Sequence, residues 1–242
     1  MPKASIIIIT KNQKRYLEKS LPQIFNQRER DFEVIVVDSG STDGARELFQ
    51  KYPMKIIDFD RKKFNYSRAF NLGAKEASGK YLIRLSGDAI PADEFWLENL
   101  ISELELNQNL AGIFSKWLNY KGNLNLVDQF LVWFCMEKEK IYFEKAPNWL
   151  GTSGSLRREL WQKYPFDESL PRCEDMDWSI KVQQEGFKIL YEPSSRVYHS
   201  HNEGLVRFFK RGIWTIFALL IILKRKVVGH YKKSFNGGVS GL

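Results

Sequence analysis

The chain has 242 residues, 43% of them hydrophobic and 27% charged, with 16 Gly and 8 Pro. That composition excludes a disordered, collagen-like or low-complexity protein and sets the expectation of one globular domain, with room for a small extension. The net charge is +8, and Cys135 and Cys173 are the two cysteines. They are too few for a disulfide framework or a Cys-based zinc site, and they suit a reducing compartment.

In chain order, Ser5-Ile-Ile-Ile-Ile9 reads as a strand buried on both faces, and it is too short for the apolar core of a signal peptide. Apolar residues at 16, 17, 21, 24 and 25 predict a helix. Phe32 to Val37 is a second buried strand ending at Asp38. Ser39-Gly-Ser-Thr-Asp-Gly44 is turn chemistry that leads into a helix at Ala45 to Lys51. Met54 to Phe59 is a third strand, Tyr66 to Ala77 a helix, and Tyr81 to Leu85 a fourth strand running into Ser86-Gly-Asp88. Phe95 to Leu106 follows as a helix and Ala111 to Leu118 as a strand. Tyr120 to Pro147 is mixed and aromatic and suits loops. Met176 to Gln184 is a helix introduced by Glu174-Asp175. Lys188 to Tyr191 and Arg196 to Tyr198 read as short strands before His199-Ser-His201.

Alternating strands and helices with short connections imply an α/β, doubly wound, mostly parallel, Rossmann-like sheet with helices on both faces. Ligands of such sheets sit at the carboxyl ends of the strands. Thr10, Asp38 and Asp88 all follow strand ends, so topology alone places them at one rim.

Several groups there carry chemistry. Asp38 can accept from a nucleobase N–H or a ribose hydroxyl, or it can be a turn or cap residue. Arg68 and Asn71 lie three apart on one helix face near Tyr66, and an Arg at this rim suits a diphosphate. No Gly-Lys-Ser/Thr phosphate loop and no G-x-G-x-x-G after the first strand is present, which disfavours nucleotide hydrolases and dinucleotide-dependent enzymes. Asp88 is a strand-end carboxylate suited to Mg²⁺ or Mn²⁺ if a phosphate and water complete the coordination. Glu174, Asp175 and Asp177 either complement a helix dipole or supply a general base, since crowding raises one carboxylate's pKa. His199 and His201 point to opposite faces, so one of them can serve the rim as a metal ligand.

In sequence, these residues resemble the family-2 glycosyltransferases of GT-A fold. Ser5-Ile-Ile-Ile-Ile-Thr-Lys-Asn12 is similar to that family's first strand, and Val36-Val-Asp-Ser-Gly-Ser-Thr-Asp-Gly44 to its most recognisable stretch. Arg68-Ala-Phe-Asn-Leu-Gly73, Ala77-Ser-Gly-Lys-Tyr81, Ser86-Gly-Asp88, Gly151-Thr-Ser-Gly154, Cys173-Glu-Asp-Met-Asp177 and Tyr198-His199 complete the series. The resemblance implies that Thr10, Asn12, Asp38, Ser41, Arg68 and Asn71 bind the nucleotide. It implies that Asp88 and His199 hold a divalent cation, Mg²⁺ or Mn²⁺, and that Asp175 with Glu174 supplies the base. Trp149, Gly151, Ser153, Asp177 and His201 fall to the sugar and acceptor side. Ser86 departs from the family pattern, because it stands where the first Asp of the Asp-x-Asp motif belongs. The Ser-Gly-Asp-Ala-Ile-Pro variant is most similar to the bacterial rhamnosyltransferase-like branch. The implied reaction is inverting transfer from a UDP-, dTDP- or GDP-sugar to a glycan or lipid-linked acceptor hydroxyl, in surface polysaccharide or glycolipid assembly.

Residues 1–204 are expected to form the glycosyltransferase domain, with 1–90 binding the nucleotide sugar and 91–204 the acceptor. Residues 205–242 form a basic, apolar helical tail. Arg207, Lys210, Arg211, Lys224, Arg225, Lys226, Lys232 and Lys233 lie in it with no acidic residue, so it carries the whole charge excess. A nucleic-acid-binding domain normally spreads such charge over a folded face, so no nucleic-acid partner is expected. The apolar run Ile213 to Leu223 is too short to span a bilayer and suits a helix lying in the interface. The expected location is therefore cytoplasmic, peripheral at the inner face of the cell membrane. Packing on the domain, or pairing as a homodimer, is the other reading of the tail. Two further functions compete: a non-catalytic nucleotide-sugar or glycan-binding module of the same fold, and a membrane-associated interaction protein that uses the tail.

Overall fold

The apolar runs of the N-terminal half assemble as the strands at the centre of one sheet. The protein is described here by a computed structural model that covers residues 1–120, 138–144, 151–199, 213 and 215–223. Strand β1 (Ala4–Thr10) is buried at every position. It lies between β2 (Phe32–Asp38) and β4 (Tyr81–Ser86), parallel to both, and β3 (Lys55–Asp58) adds in parallel outside β2. The register pairs Thr10 with Asp38 and Ile9 with Ser86, so three strands end at one rim.

Beyond β4 the sheet turns mixed. Its order is β3-β2-β1-β4-β8-β6-β9-β5, with β7 paired to β9. Strand β8 (Ser153–Arg157) is antiparallel to both β4 and β6 (Leu110–Leu118). Strand β9 (Lys188–Tyr198) runs parallel to β6. The short strands β5 (Ile90–Pro91) and β7 (Ile141–Phe143) pair with it antiparallel. The sequence suggests two short strands in β9. The structure has one, whose register on β6 shifts between Ser115 and Lys116 where Pro193, Ser194 and Ser195 are looped out. Strand β8 has no strand-like sequence signal: Ser-Gly-Ser-Leu-Arg is small and polar, and it is held by two neighbours rather than by its own propensity.

Period-2 alternation assigns the two faces. Ile6, Ile8, Ile83 and Leu85 pack in one core with helices α1 (Lys14–Phe25), α2 (Ala45–Phe49) and α4 (Trp96–Leu106). Ile7, Ile9 and Leu82 pack in the other with α3 (Tyr66–Lys75), α5 (Arg158–Lys163) and α6 (Glu174–Gln184). Helices therefore cover both faces, as the α/β reading expects. A Cβ on Gly73 would lie 2.6 Å from Ile7 Cγ2, so glycine lets α3 sit directly on β1.

Residues 215–223 are helical. Ile216, Phe217, Leu220 and Leu223 are exposed, as is the neighbouring Ile213, while Ala218 and Ile222 are buried. Among the described residues no helix is long and apolar enough to cross a membrane.

Candidate active site

The rim begins with a loop that organises itself. Asp38 is fully buried and accepts from the Ser41 N–H and, at 2.5 Å, from the Ser41 hydroxyl. Arg46 of α2 reaches the same carboxylate at 3.4 Å. Ser41 Oγ accepts from the Asn12 N–H at 2.9 Å, and Asn12 Oδ1 accepts from the Thr42 N–H at 2.8 Å. Asn12 adopts a left-handed φ of 51°, a conformation Asn tolerates better than most residues. Asp38, Ser41 and Asn12 thus lock the β1 and β2 ends together. Direct contact between Asp38 and a base or ribose would have to displace Ser41.

Asp88 projects from the turn after β4. That turn is tucked under Thr10 and Gln13. Thr10 Oγ1 donates to Gln13 Oε1, and a Cβ on Gly87 would lie 2.2 Å from Gln13 Oε1 and 2.6 Å from Thr10 Oγ1. Across the rim His199, buried after β9, brings Nδ1 to 3.5 Å from Asp88 Oδ1. The Trp117 ring meets the imidazole edge-on at 5.6 Å. A carboxylate oxygen and an imidazole nitrogen at this spacing suit a divalent cation of the Mg²⁺ or Mn²⁺ class. No group of three or more such donors exists among the described residues, so these two ligands would need oxygens from a bound diphosphate or water.

The second cluster lies at the start of α6. Cys173, with a left-handed φ of 61°, turns the chain so that Glu174 and Asp175 occupy the first helical turn. Both are buried. Glu174 Oε1 accepts from Arg84 Nη2 at 2.7 Å, and Arg84 Nη1 stands 3.9 Å from Asp175 Oδ2. Asp175 also accepts from the Gly151 N–H at 2.8 Å and the Met176 N–H at 2.9 Å. Gly151 has φ +56°, which suits glycine. Burial first, and the Glu174 charge second, raise the Asp175 pKa above the ordinary carboxylate value. Burial likewise raises the Tyr66 phenol, which senses Asp88, Arg84 and Glu174 and so borders both clusters.

Other expected site residues have different employment. Asn71 serves the scaffold in this structure. Its amide donates to the Phe166 carbonyl and Glu168 and accepts from the Trp161 indole and the Phe166 N–H, which leaves no capacity for a nucleotide. Ser153 is placed in the core. It is fully buried, and Trp96 Nε1 donates to it at 2.9 Å within a ring formed with Ser115 and Ser195. Asp177 pairs with Lys181 one turn along α6 at 2.7 Å. Arg68 is half-exposed and pairs with Glu168 at 3.5 Å. Trp149 and His201 lie outside the described residues, as do 121–137 and 145–147 of the aromatic segment. Arg84 is a further member of this cluster, and its only signal in the sequence is a lone Arg inside the apolar run Tyr81-Leu-Ile-Arg-Leu85.

The motifs that carry the family resemblance thus supply a strand-end carboxylate with a histidine beside it, and a buried Glu-Asp pair. The family model described as glycosyl transferase family 2 matches residues 5–162. The chain belongs to this family. It is 28% identical over 236 residues to an uncharacterised glycosyltransferase of Methanocaldococcus jannaschii, covering 93% of this chain and 81% of that one. It is also 28% identical over 228 residues to the O-antigen chain rhamnosyltransferase RfbN of Salmonella typhimurium, covering 88% and 72%. Among solved structures it is similar to the mannosyltransferase PcManGT of Pyrobaculum calidifontis in complex with GDP-Man and Mn²⁺, with a TM-score of 0.63 at 18% identity. That alignment covers 82% of this chain and spans 56% of the mannosyltransferase chain. The fold of this glycosyltransferase is GT-A.

Proposed function

We propose that the protein transfers a sugar from a nucleotide-diphosphate donor to an acceptor hydroxyl in one inverting displacement. The observation that carries this reading is the buried Glu174–Asp175 pair, in which Arg84 is tightly paired with Glu174 but stands 3.9 Å from Asp175, whose pKa is raised. A carboxylate with a raised pKa takes a proton effectively near neutral pH. Asp175 would accept the proton of the acceptor hydroxyl as that oxygen attacks the anomeric carbon. The C–O bond to the diphosphate then breaks on the opposite face, and the diphosphate leaves with the bonding pair. No protein nucleophile is required.

Asp88 and His199 would hold a divalent cation, which when bound neutralises charge on the departing diphosphate. The Mn²⁺ in the related mannosyltransferase structure supports this choice of metal class. Arg68, exposed on α3, is the chain's own cation for the same oxygens, provided it exchanges Glu168 for them. Thr10, Asn12 and Ser41 shape the floor on which the nucleotide rests.

The rhamnosyltransferase relative supports a surface-polysaccharide or glycolipid acceptor. The helix at 215–223 supports a peripheral membrane position, because its exposed apolar stripe stands among basic residues that would meet anionic headgroups. The reaction is tested with a panel of UDP-, dTDP- and GDP-sugars in Mn²⁺ or Mg²⁺, reading nucleotide release and the anomeric configuration of the product by NMR. Release from one donor with inversion supports the proposal. Binding without turnover across the panel would instead mark a non-catalytic module.

A further inference from the structure

The strand β4 is apolar apart from Arg84 and Ser86, and alternation places Arg84 on the Leu82 face, under α3 and α6. The residue is 8% exposed. A guanidinium this deep is costly unless paired, so its partners explain its presence. Nη2 binds Glu174 at 2.7 Å, whereas Nη1 is buried, makes no hydrogen bond and stands 3.9 Å from Asp175 Oδ2. One cation therefore faces two adjacent buried carboxylates, tightly on one and loosely on the other.

We infer that Arg84 is the positioning residue that divides labour between the pair, committing Glu174 to a permanent ion pair and leaving Asp175 ionised yet available to take a proton. This rests on the reading of Asp175 as the base. Two adjacent carboxylates in a dry site cannot both ionise without a counter-charge. The other groups around them do not provide one. Cys173, at the cap of α6, is a neutral thiol whose pKa burial and the two carboxylates push up to about 11. Tyr66 on α3 is a neutral phenol. The loop before β8 contributes the Gly151 N–H. Arg172, just before α6, interacts with Cys173 and Tyr66. Among the described residues, Arg84 is the cation within 4 Å of the pair. Its charge lowers the Asp175 pKa, against the combined upward push of burial and Glu174.

The test is the pH dependence of kcat for the full-length wild type and for Arg84→Met, Arg84→Lys, Glu174→Gln and the Arg84→Met/Glu174→Gln double variant. Donor KM and thermal stability are measured on each. In Arg84→Met the acid limb should move up by about one pH unit or more, lowering kcat roughly tenfold at pH values below the wild-type limb, with donor KM nearly unchanged. Arg84→Lys should recover most of the loss. Glu174→Gln alone should move the limb down, since the repelling neighbour is gone. The double variant should return it towards the wild-type position. A purely structural Arg84 predicts the reverse for the double variant, which would then lose more activity with an unmoved limb. That result, or an unmoved limb in Arg84→Met, overturns the inference. If Arg84→Met does not fold, an unmoved limb in Glu174→Gln overturns it equally. Asp175→Asn, measured alongside, separates the two claims. Wild-type turnover in that variant defeats the base reading itself, whereas loss of turnover there with unmoved limbs in the others defeats only the role given to Arg84.

Discussion

Asp88 and His199 approach to 3.5 Å from opposite halves of the sheet, one following β4 and the other following β9. Strands β8 and β6 lie between those two in the sheet order, so the pairing depends on the whole mixed sheet being in register. Replacing either residue by Ala should weaken Mn²⁺-dependent nucleotide binding at least as much as losing an outer-shell partner of a metal does, about 10- to 100-fold. Metal-independent binding should change little. Calorimetric titration of UDP, dTDP and GDP with and without Mn²⁺ reads both quantities. Equal affinities in the wild type and Asp88→Ala would remove Asp88 from the site.

Gly87 sets where Asp88 points. A Cβ there meets Thr10 Cβ at 2.7 Å as well as two side-chain oxygens, and Thr10 is fixed in a buried strand. Gly87→Ala should therefore cost about 1–3 kcal/mol of stability by overpacking. It should also reduce Mn²⁺-dependent nucleotide binding, because the Asp88 turn must lift. Chemical denaturation and the same titration test the pair of effects. Unchanged binding would show that the turn has slack.

The raised pKa of Asp175 has a signature in stability. Between the ordinary carboxylate pKa and its raised value, the folded chain binds more protons at this site than the unfolded chain does. Stability contributed by the site is therefore present at low pH and lost as pH rises through that window. The difference in Tm between the wild type and Asp175→Asn should grow in favour of the wild type as pH is lowered from neutral towards the ordinary carboxylate pKa. A constant difference across that range would contradict the raised pKa.

The exposed stripe Ile213, Ile216, Phe217, Leu220 and Leu223 follows helical spacing. Flotation with anionic liposomes should carry the full chain upward. Ile216→Ser/Leu220→Ser should weaken that binding by about tenfold or more, given roughly 1.5–3 kcal/mol per large apolar side chain buried. Equal flotation of both proteins would leave the stripe to another surface.

The sequence made the rim legible, because β1, β2 and β4 are unmistakable apolar runs and their ends carry the polar residues. The strongest family motifs mark the same places. Other features emerge only in the fold, for physical reasons. Asn71 and Ser153 carry polar side chains next to motif positions, yet long-range partners from α5, the turn before Ser169, and α4 consume their hydrogen bonds. Spacing along the chain cannot show that. Arg84 was hidden for the converse reason: its partners, Glu174 and Asp175, are remote in sequence and meet it only once α6 is laid on β4. Pro193 interrupts the strand pattern of β9 in the sequence, whereas the fold loops three residues out and continues the pairing.

The central claim is that Asp175 accepts the acceptor's proton. It is tested most directly by comparing sugar transfer and donor affinity in the wild type and Asp175→Asn on the same preparations, with the donor identified from the nucleotide-sugar panel. The expected result is a fall in turnover of roughly 10²–10⁴-fold, with donor affinity within about threefold of the wild type. Turnover in Asp175→Asn equal to that of the wild type would contradict it.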